Sequence, residues 1–285
     1  MDSKVLRSGL ERGRVEGYNV ENLTLVKRIA RSMLGDQRYL ALSERYRQWR
    51  AYMDPRYRTS VRRIVALRDQ HQGERCFIIG NGPSLRNTEL SLLKDEITFG
   101  LNRIYLMFDQ MGFATTYYVA VNKLVIEQCA HEIVGLPCPK FIGWHARDLM
   151  DFTADTMFLC SQGSPRFYID ITKGIHEGAT VTYVAMQIAY YLGFHKVILI
   201  GVDHSFATKG EPHTTVVSQG DDPNHFDPRY FGKGFRWQLP DLEASELSYR
   251  LAKYQFERAN REIVDATIGG KLRVFRKVDY HTLFV

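Results

Sequence analysis

At 285 residues the chain is long enough to bury a full core, and it fits one α/β domain with an appendage, or two small domains. Its 45% apolar and 25% charged residues describe a soluble globular protein, with no apolar run near the roughly 18 residues a membrane helix needs. The net charge of +6 is uneven: residues 1–75 carry +8 and residues 76–285 carry −2, which argues against a nucleic-acid partner.

The opening "MDSKVLRSGLERGRVEG" has no apolar stretch of the secretion-signal kind, so the chain reads as cytoplasmic. Between Leu25 and Leu34, Val26, Ile29, Ala30 and Met33 recur at helical spacing among Lys27, Arg28 and Arg31, predicting an amphipathic helix. A second helical stretch covers 38–53, Pro55 interrupts it, and a third restarts over 59–70 with Thr59 or Ser60 as N-cap. Residues 1–71 thus read as a basic helical appendage and "HQGER" as the joint to a domain over 72–285. The charge of the appendage suits a solvated helical face, or peripheral contact with anionic lipid at the inner face of a membrane or with an acidic partner.

From Cys76 short β-rich runs alternate with helical segments, the pattern of an α/β fold with an open, mostly parallel, Rossmann-like sheet flanked by helices. Strands are expected at 76–80, 97–101, 116–121, 140–144, 157–160, 196–201 and 272–276, and a helix at 179–193 with Gly193 as its C-cap. Cys76, Cys129, Cys138 and Cys160 form no CxxC pair and lie in or beside apolar segments, so they read as buried free thiols.

Asn81 and Gly82 follow the first strand, Asn102 the second, Asn122 the third, and Asp203 and His204 the sixth. Ligands of open parallel sheets bind at the carboxyl edge of the strands, so these positions point to one site, although Asn and Asp are also ordinary turn formers. In "CFIIGNGPSL", residues 76–85, a strand, a glycine turn and an expected helix make a phosphate-compatible arrangement. Gly80 and Gly82 permit close backbone approach and positive φ, and Ser84 could cap the helix or donate its hydroxyl. Leu85 stands where a dinucleotide fingerprint wants a third glycine, Asn102 where it wants an acid, and "PSLRN" lacks the P-loop lysine. The turn is therefore neither standard type, and an ordinary tight turn remains open.

These residues also carry a resemblance. "IIGNGPSL", the Asn after each of the next two strands, "EGATVTYVAMQIAYYLGFHKVILIGVDHSF" and "GGKLRVFRKVDYHTLF" resemble the MptE-like domain, named after an archaeal 6-hydroxymethylpterin diphosphokinase, over residues 72–285. That family is similar to bacterial sialyltransferases that use a CMP-activated nonulosonic acid, and to flagellin-modifying motility accessory factors. The resemblance implies donor contacts from Asn81, Gly82, Asn102 and Asn122, with Gly178, Ala179 and Thr180 at a helix start facing the nucleotide. The sialyltransferase segment that holds a general-base histidine reads "YFGK" here, offering Lys233. Other bases stand in the loop 204–240, whose length, glycines and aromatics suit a lid: His204, His213 and His225. Each could equally be a structural histidine. Arg229, Lys233 and Arg236 could neutralise donor phosphate on closure and Tyr230 could hydrogen-bond to it, while Phe226, Tyr230, Phe231 and Trp237 imply that the loop packs.

The leading expectation is a glycosyltransferase moving a sugar, of nonulosonic-acid type, from a CMP- or other nucleotide-activated donor to a surface glycan or protein, with no required cofactor. Asp203, His204, His213, Asp221, Asp222 and His225 match no metal-ligand spacing. The alternative, an ATP-dependent pterin diphosphokinase, would need Mg²⁺, held through a carboxylate such as Asp203. A non-catalytic nucleotide-binding module is the third reading, and a homo-oligomer is compatible with all three.

Overall fold

The computed structural model describes residues 32–33 and 35–284. The basic N-terminus and all but two residues of the helix expected at 25–34 lie outside the described residues. Among the described residues, those from Gln48 onward make one compact unit and those before it belong to another. The first helix, α1, runs Asp36–Tyr52, matching the second helical stretch.

Helix α2, Pro55–Ala66, corrects the sequence expectation: Pro55 starts the helix instead of breaking it. Asp54 is the N-cap, its carboxylate accepting from the Arg56 N–H at 2.8 Å, and proline suits the first helical position because its missing N–H would have no partner there. Ser60, one of the expected caps, is buried mid-helix and donates to the Arg56 carbonyl. This helix belongs with the sheet: Arg63 donates to the carbonyls of Thr153 and Thr156, and buried Tyr57 packs edge-on against Trp144.

The sheet has eight strands, all parallel: β1 (Arg75–Ile79), β2 (Thr98–Leu101), β3 (Tyr117–Ala120), β4 (Lys140–Gly143), β5 (Thr156–Leu159), β6 (Lys196–Ile200), β9 (Glu262–Asp265) and β10 (Arg276–Lys277). A separate antiparallel ribbon joins β7 (Thr215–Val217) to β8 (Arg236–Gln238). Strands covered on both faces must be apolar throughout, and the central ones are buried along almost their whole length. One layer holds Phe77, Ile79, Tyr118, Ile142 and Ile198, the other Ile78, Phe99, Val119, Phe141 and Leu199, as the two-residue period requires. After the one-turn α3 (Phe108–Met111) and α4 (Lys123–Val134) comes α5 (Val181–Tyr191), whose apolar side chains fill the second layer, with Val184, Met186 and Ile188 each worth about 1.5–3 kcal/mol on full burial. Phe226, Tyr230, Phe231, Trp237 and Leu239 from the long loop join the first.

The last expected strand, 272–276, is misplaced. β9 occupies the position beside β6, with the short β10 at the edge outside it, and only Arg276 of the expected segment enters a ladder. Leu272 and Phe275 are instead buried, Phe275 against the Tyr249 ring. The apolar and branched residues of 272–275 read like a strand although the backbone there has no neighbour to pair with.

The strand order is β10-β9-β6-β1-β2-β3-β4-β5. The chain therefore leaves β1 in one direction as far as β5 and returns to β1's other side with β6. Between β1 and β6 the connections diverge, which opens a crevice at the carboxyl ends. All four cysteines are buried and stand outside any disulfide. Among the described residues, no helix is long and apolar enough to cross a membrane.

Candidate functional site

A cleft of about 1000 Å³ opens at that switch point. Its size reaches the upper end of small-molecule sites. Gly80, Asn81, Gly82, Asn102, Asn122, Asp203 and His204 all line it, so the strand ends singled out in the sequence converge on one rim.

The glycine turn is built for packing. Neither Gly80 nor Gly82 adopts positive φ; Gly82 sits at φ −69°. Both are glycine because the β6 turn crowds them: the Gly82 N–H donates to the Gly201 carbonyl at 2.8 Å, and a β-carbon on Gly82 would lie 1.8 Å from Asp203 Oδ2. The chain then enters a five-residue 3₁₀ turn, Pro83–Asn87, not the expected α-helix. Ser84 neither caps it nor lines the cleft: its N–H donates to Asp203 Oδ1 at 3.1 Å and its hydroxyl to Oδ2 at 2.6 Å. Burial pushes the Asp203 carboxyl above its ordinary range, against the pull of these two bonds.

The three asparagines differ. Asn122 is the N-cap of α4 (Lys123–Val134), its oxygen accepting from Leu124 and Val125 N–H. Asn81 donates to the Leu101 carbonyl. Among the described residues, the side-chain oxygens of Asn81 and Asn102 are buried without a donor. Buried acceptors of this kind are normally satisfied, so two at adjacent strand ends call for hydrogen-bond donors in whatever fills the cleft.

Opposite lies the N-terminus of α5, the helix end that the glycine turn does not provide. Gly178 and Ala179, at φ +58° and +59°, swing the chain so that Gly178, Ala179, Thr180, Val181 and Thr182 all border the cleft. Thr180 caps the helix by accepting from Thr182 N–H and lies 3.3 Å from the Tyr249 hydroxyl. The first N–H groups of an 11-residue helix and its dipole favour an anion here. Six described non-glycine residues hold positive φ, and four of them, Asn102, Ala179, His204 and His213, border the cleft. Backbone strain of this sort gathers where geometry serves a ligand.

Five of the nine histidines also line the cleft. His225 Nδ1 lies 2.7 Å from Asp222 Oδ2, and its ring stacks on Tyr230 at 3.9 Å. Burial raises the Asp222 carboxyl, but the His225 ring and the N–H groups of Asn224 and Phe231 outweigh it and hold it below the ordinary range. His204 Nε2 is 3.1 Å from Glu246, and the more exposed His213 is 3.3 Å from Asp241. Both carboxylates belong to α6 (Leu242–Arg258) or its N-cap. A second cluster lies near the ends of β4 and β5, where Ser161 donates to Glu177 and His145 stands 3.8 Å away. Neither α6 nor this cluster carries a motif, so the sequence offered no signal for them.

The cationic lid is corrected. Lys233 is exposed and does not border the cleft; Arg229 pairs with Asp227 and Arg236 with Glu127, both away from it. Tyr230 borders the cleft, but it is almost wholly buried and its hydroxyl accepts from the Arg103 N–H. Arg103, unremarked in the sequence, donates to the carbonyls of Arg229 and Tyr230 and lies over the Phe235 ring at 4.5 Å. The loop is thereby fastened down.

Residues 55–209 match the family model described as 6-hydroxymethylpterin diphosphokinase MptE-like. No curated protein matches. Among solved structures, the MAf glycosyltransferase from Magnetospirillum magneticum AMB-1 is similar at 14% identity and a TM-score of 0.47, over 79% of this chain and 39% of that one. The chain thus spans less than half the length of that protein.

Proposed function

The chain belongs to the MptE-like family, and within it we propose for this protein the transfer of a sugar, of nonulosonic-acid type, from a nucleotide-activated donor to a hydroxyl of a glycan or protein. The observation that carries the reading is the meeting, in one cleft, of the α5 N-terminus with histidines held by carboxylates. The donor phosphate lies against the N–H groups that follow Ala179, and the buried oxygens of Asn81 and Asn102 accept from hydroxyl or amino groups of the nucleoside.

His225 is the base. Asp222 fixes Nδ1–H, which leaves Nε2 to take the proton of the acceptor hydroxyl. The acceptor oxygen bonds to the anomeric carbon, the bond from that carbon to the phosphate oxygen breaks, and its electron pair leaves on the phosphate, where the helix N–H groups stabilise it.

The family's description names the other reading, a diphosphokinase, which would need a magnesium ion. The residues do not fit one readily. Both Asp203 oxygens face Ser84, and among the described residues no three His, Cys, Asp or Glu side chains gather as a metal cluster. No step is assigned to a metal. Calorimetric titration with CMP, UDP, GDP and ATP, with and without Mg²⁺, separates the readings: metal-independent binding of CMP or a diphosphonucleoside supports transfer of sugar, and ATP binding only with Mg²⁺ overturns it.

A further inference from the structure

The cleft must accept the phosphate of its donor with few fixed cations. Among the described residues its lining includes one lysine, Lys123, and no arginine, against the carboxylates of Glu177, Asp203 and Asp241. With neutral histidines the rim therefore carries net negative charge, which repels an anionic ligand. One histidine is placed to reverse this beside the α5 N-terminus. Tyr249 touches Thr180, the cap of α5, through its hydroxyl, and its ring centroid lies 6.3 Å from that of His204. His204 is held from behind by Glu246, itself 3.5 Å from Arg250 on the outer side of α6. The charged groups around it are Glu246, the preceding Asp203 and, beyond Glu246, Arg250. Its backbone sits at φ +55°, a strained setting, and the residue lines the cleft from the β6 turn.

Resting on the nucleotide-site reading above, we propose that Glu246 is a positioning residue that holds His204 as an imidazolium against the donor phosphate, so that the donor binds with uptake of a proton. Nε2–H donates to Glu246, and Nδ1–H is left to face the phosphate at the α5 N-terminus. His204 and His225 thus divide the work: one carries positive charge for the leaving group, the other takes the acceptor's proton. The absence of arginine from the lining follows, since a titrating imidazolium can lose its charge as product leaves.

The test is calorimetry on the full chain with CMP, UMP, GMP and AMP and their nucleosides, in buffers of different ionisation enthalpy. For the nucleotide that binds best, the expected result is net proton uptake near pH 7.5 and an affinity falling as pH rises from 6 to 8.5. Glu246→Gln should lower that affinity about tenfold, as loss of one charge-assisted bond would, and leave the nucleoside's unchanged. Glu246→Asp should restore part of it. His204→Asn, chosen because asparagine tolerates positive φ, should abolish the proton uptake. Equal affinity for the phosphate and nucleoside forms in wild type and Glu246→Gln, or binding without proton uptake, overturns the assignment while leaving the nucleotide site standing. Wild-type chain that binds none of the eight compounds overturns both.

Discussion

Gly80 and Gly201 meet across the turns that end β1 and β6, so closely that a β-carbon on Gly80 would lie 2.3 Å from the Gly201 carbonyl oxygen. The neighbour is backbone and cannot rotate away. Gly80→Ala should therefore cost about 1–3 kcal/mol by overpacking, a drop of several degrees in Tm, and should splay the switch-point crevice. Gly82→Ala meets mainly the Asp203 side chain, which can turn, and should cost less. Thermal melts of the two variants check the order; an equal or reversed ranking contradicts the packing account.

Asp203 gives a pH signature. Its carboxyl is raised in the folded state by burial, so its contribution to stability is full in acid and is lost as pH rises through the folded value. Asp203→Asn keeps an oxygen for the Ser84 N–H and carries no charge. The Tm of the variant relative to wild type should climb between pH 4 and pH 7 and then level off. A difference that is flat across that range would falsify the burial account.

Asp222 should behave in the opposite sense. Its carboxyl is held down, so its stabilisation is present above the ordinary carboxylate range and disappears as pH falls through the depressed value. The amide of Asp222→Asn would set its donor either against the Phe231 N–H and the His225 ring, which share Oδ2, or against the Asn224 N–H on Oδ1, costing about 1–3 kcal/mol at neutral pH; in the first setting it also presents the wrong tautomer of His225. Urea melts should show the loss in full at pH 7 and shrinking as pH falls into the acid range, and turnover of any sugar-nucleotide substrate should fall by orders of magnitude.

Arg103 anchors the loop that bears His225. Replacing it with methionine keeps much of the stem's packing but strands the Arg229 and Tyr230 carbonyls, which should cost about 2–3 kcal/mol. Hydrogen exchange should quicken over 222–235 and stay unchanged in β1 to β3. Uniform quickening would mean that the residue supports the whole fold.

The parallel α/β class was legible in the sequence because it is written in local periods. "CFII", "VILI" and "YYVA" are apolar at every position, as strands covered on both faces must be, and "VTYVAMQIAYY" announces a buried helix. The asparagines, glycines and acid after those strands were equally plain, since connectivity alone sends the ends of parallel strands to one edge. Local pattern fails where the deciding partner is distant in the chain. "LRVFR" has the composition of a strand but no neighbour along most of its length, whereas "EIVD", with charge at both ends, pairs because β6 lies beside it. Ser84 looks like a cap until Asp203 comes within reach of its hydroxyl, and Lys233 looks like a base until the packing of Phe231 and Trp237 leaves it outside. The carboxylates that select His204 and His225 show the same division. Asp222 stands three residues from its histidine and Glu246 forty-two residues from its own, and only the folded chain sets either close enough to share a hydrogen bond.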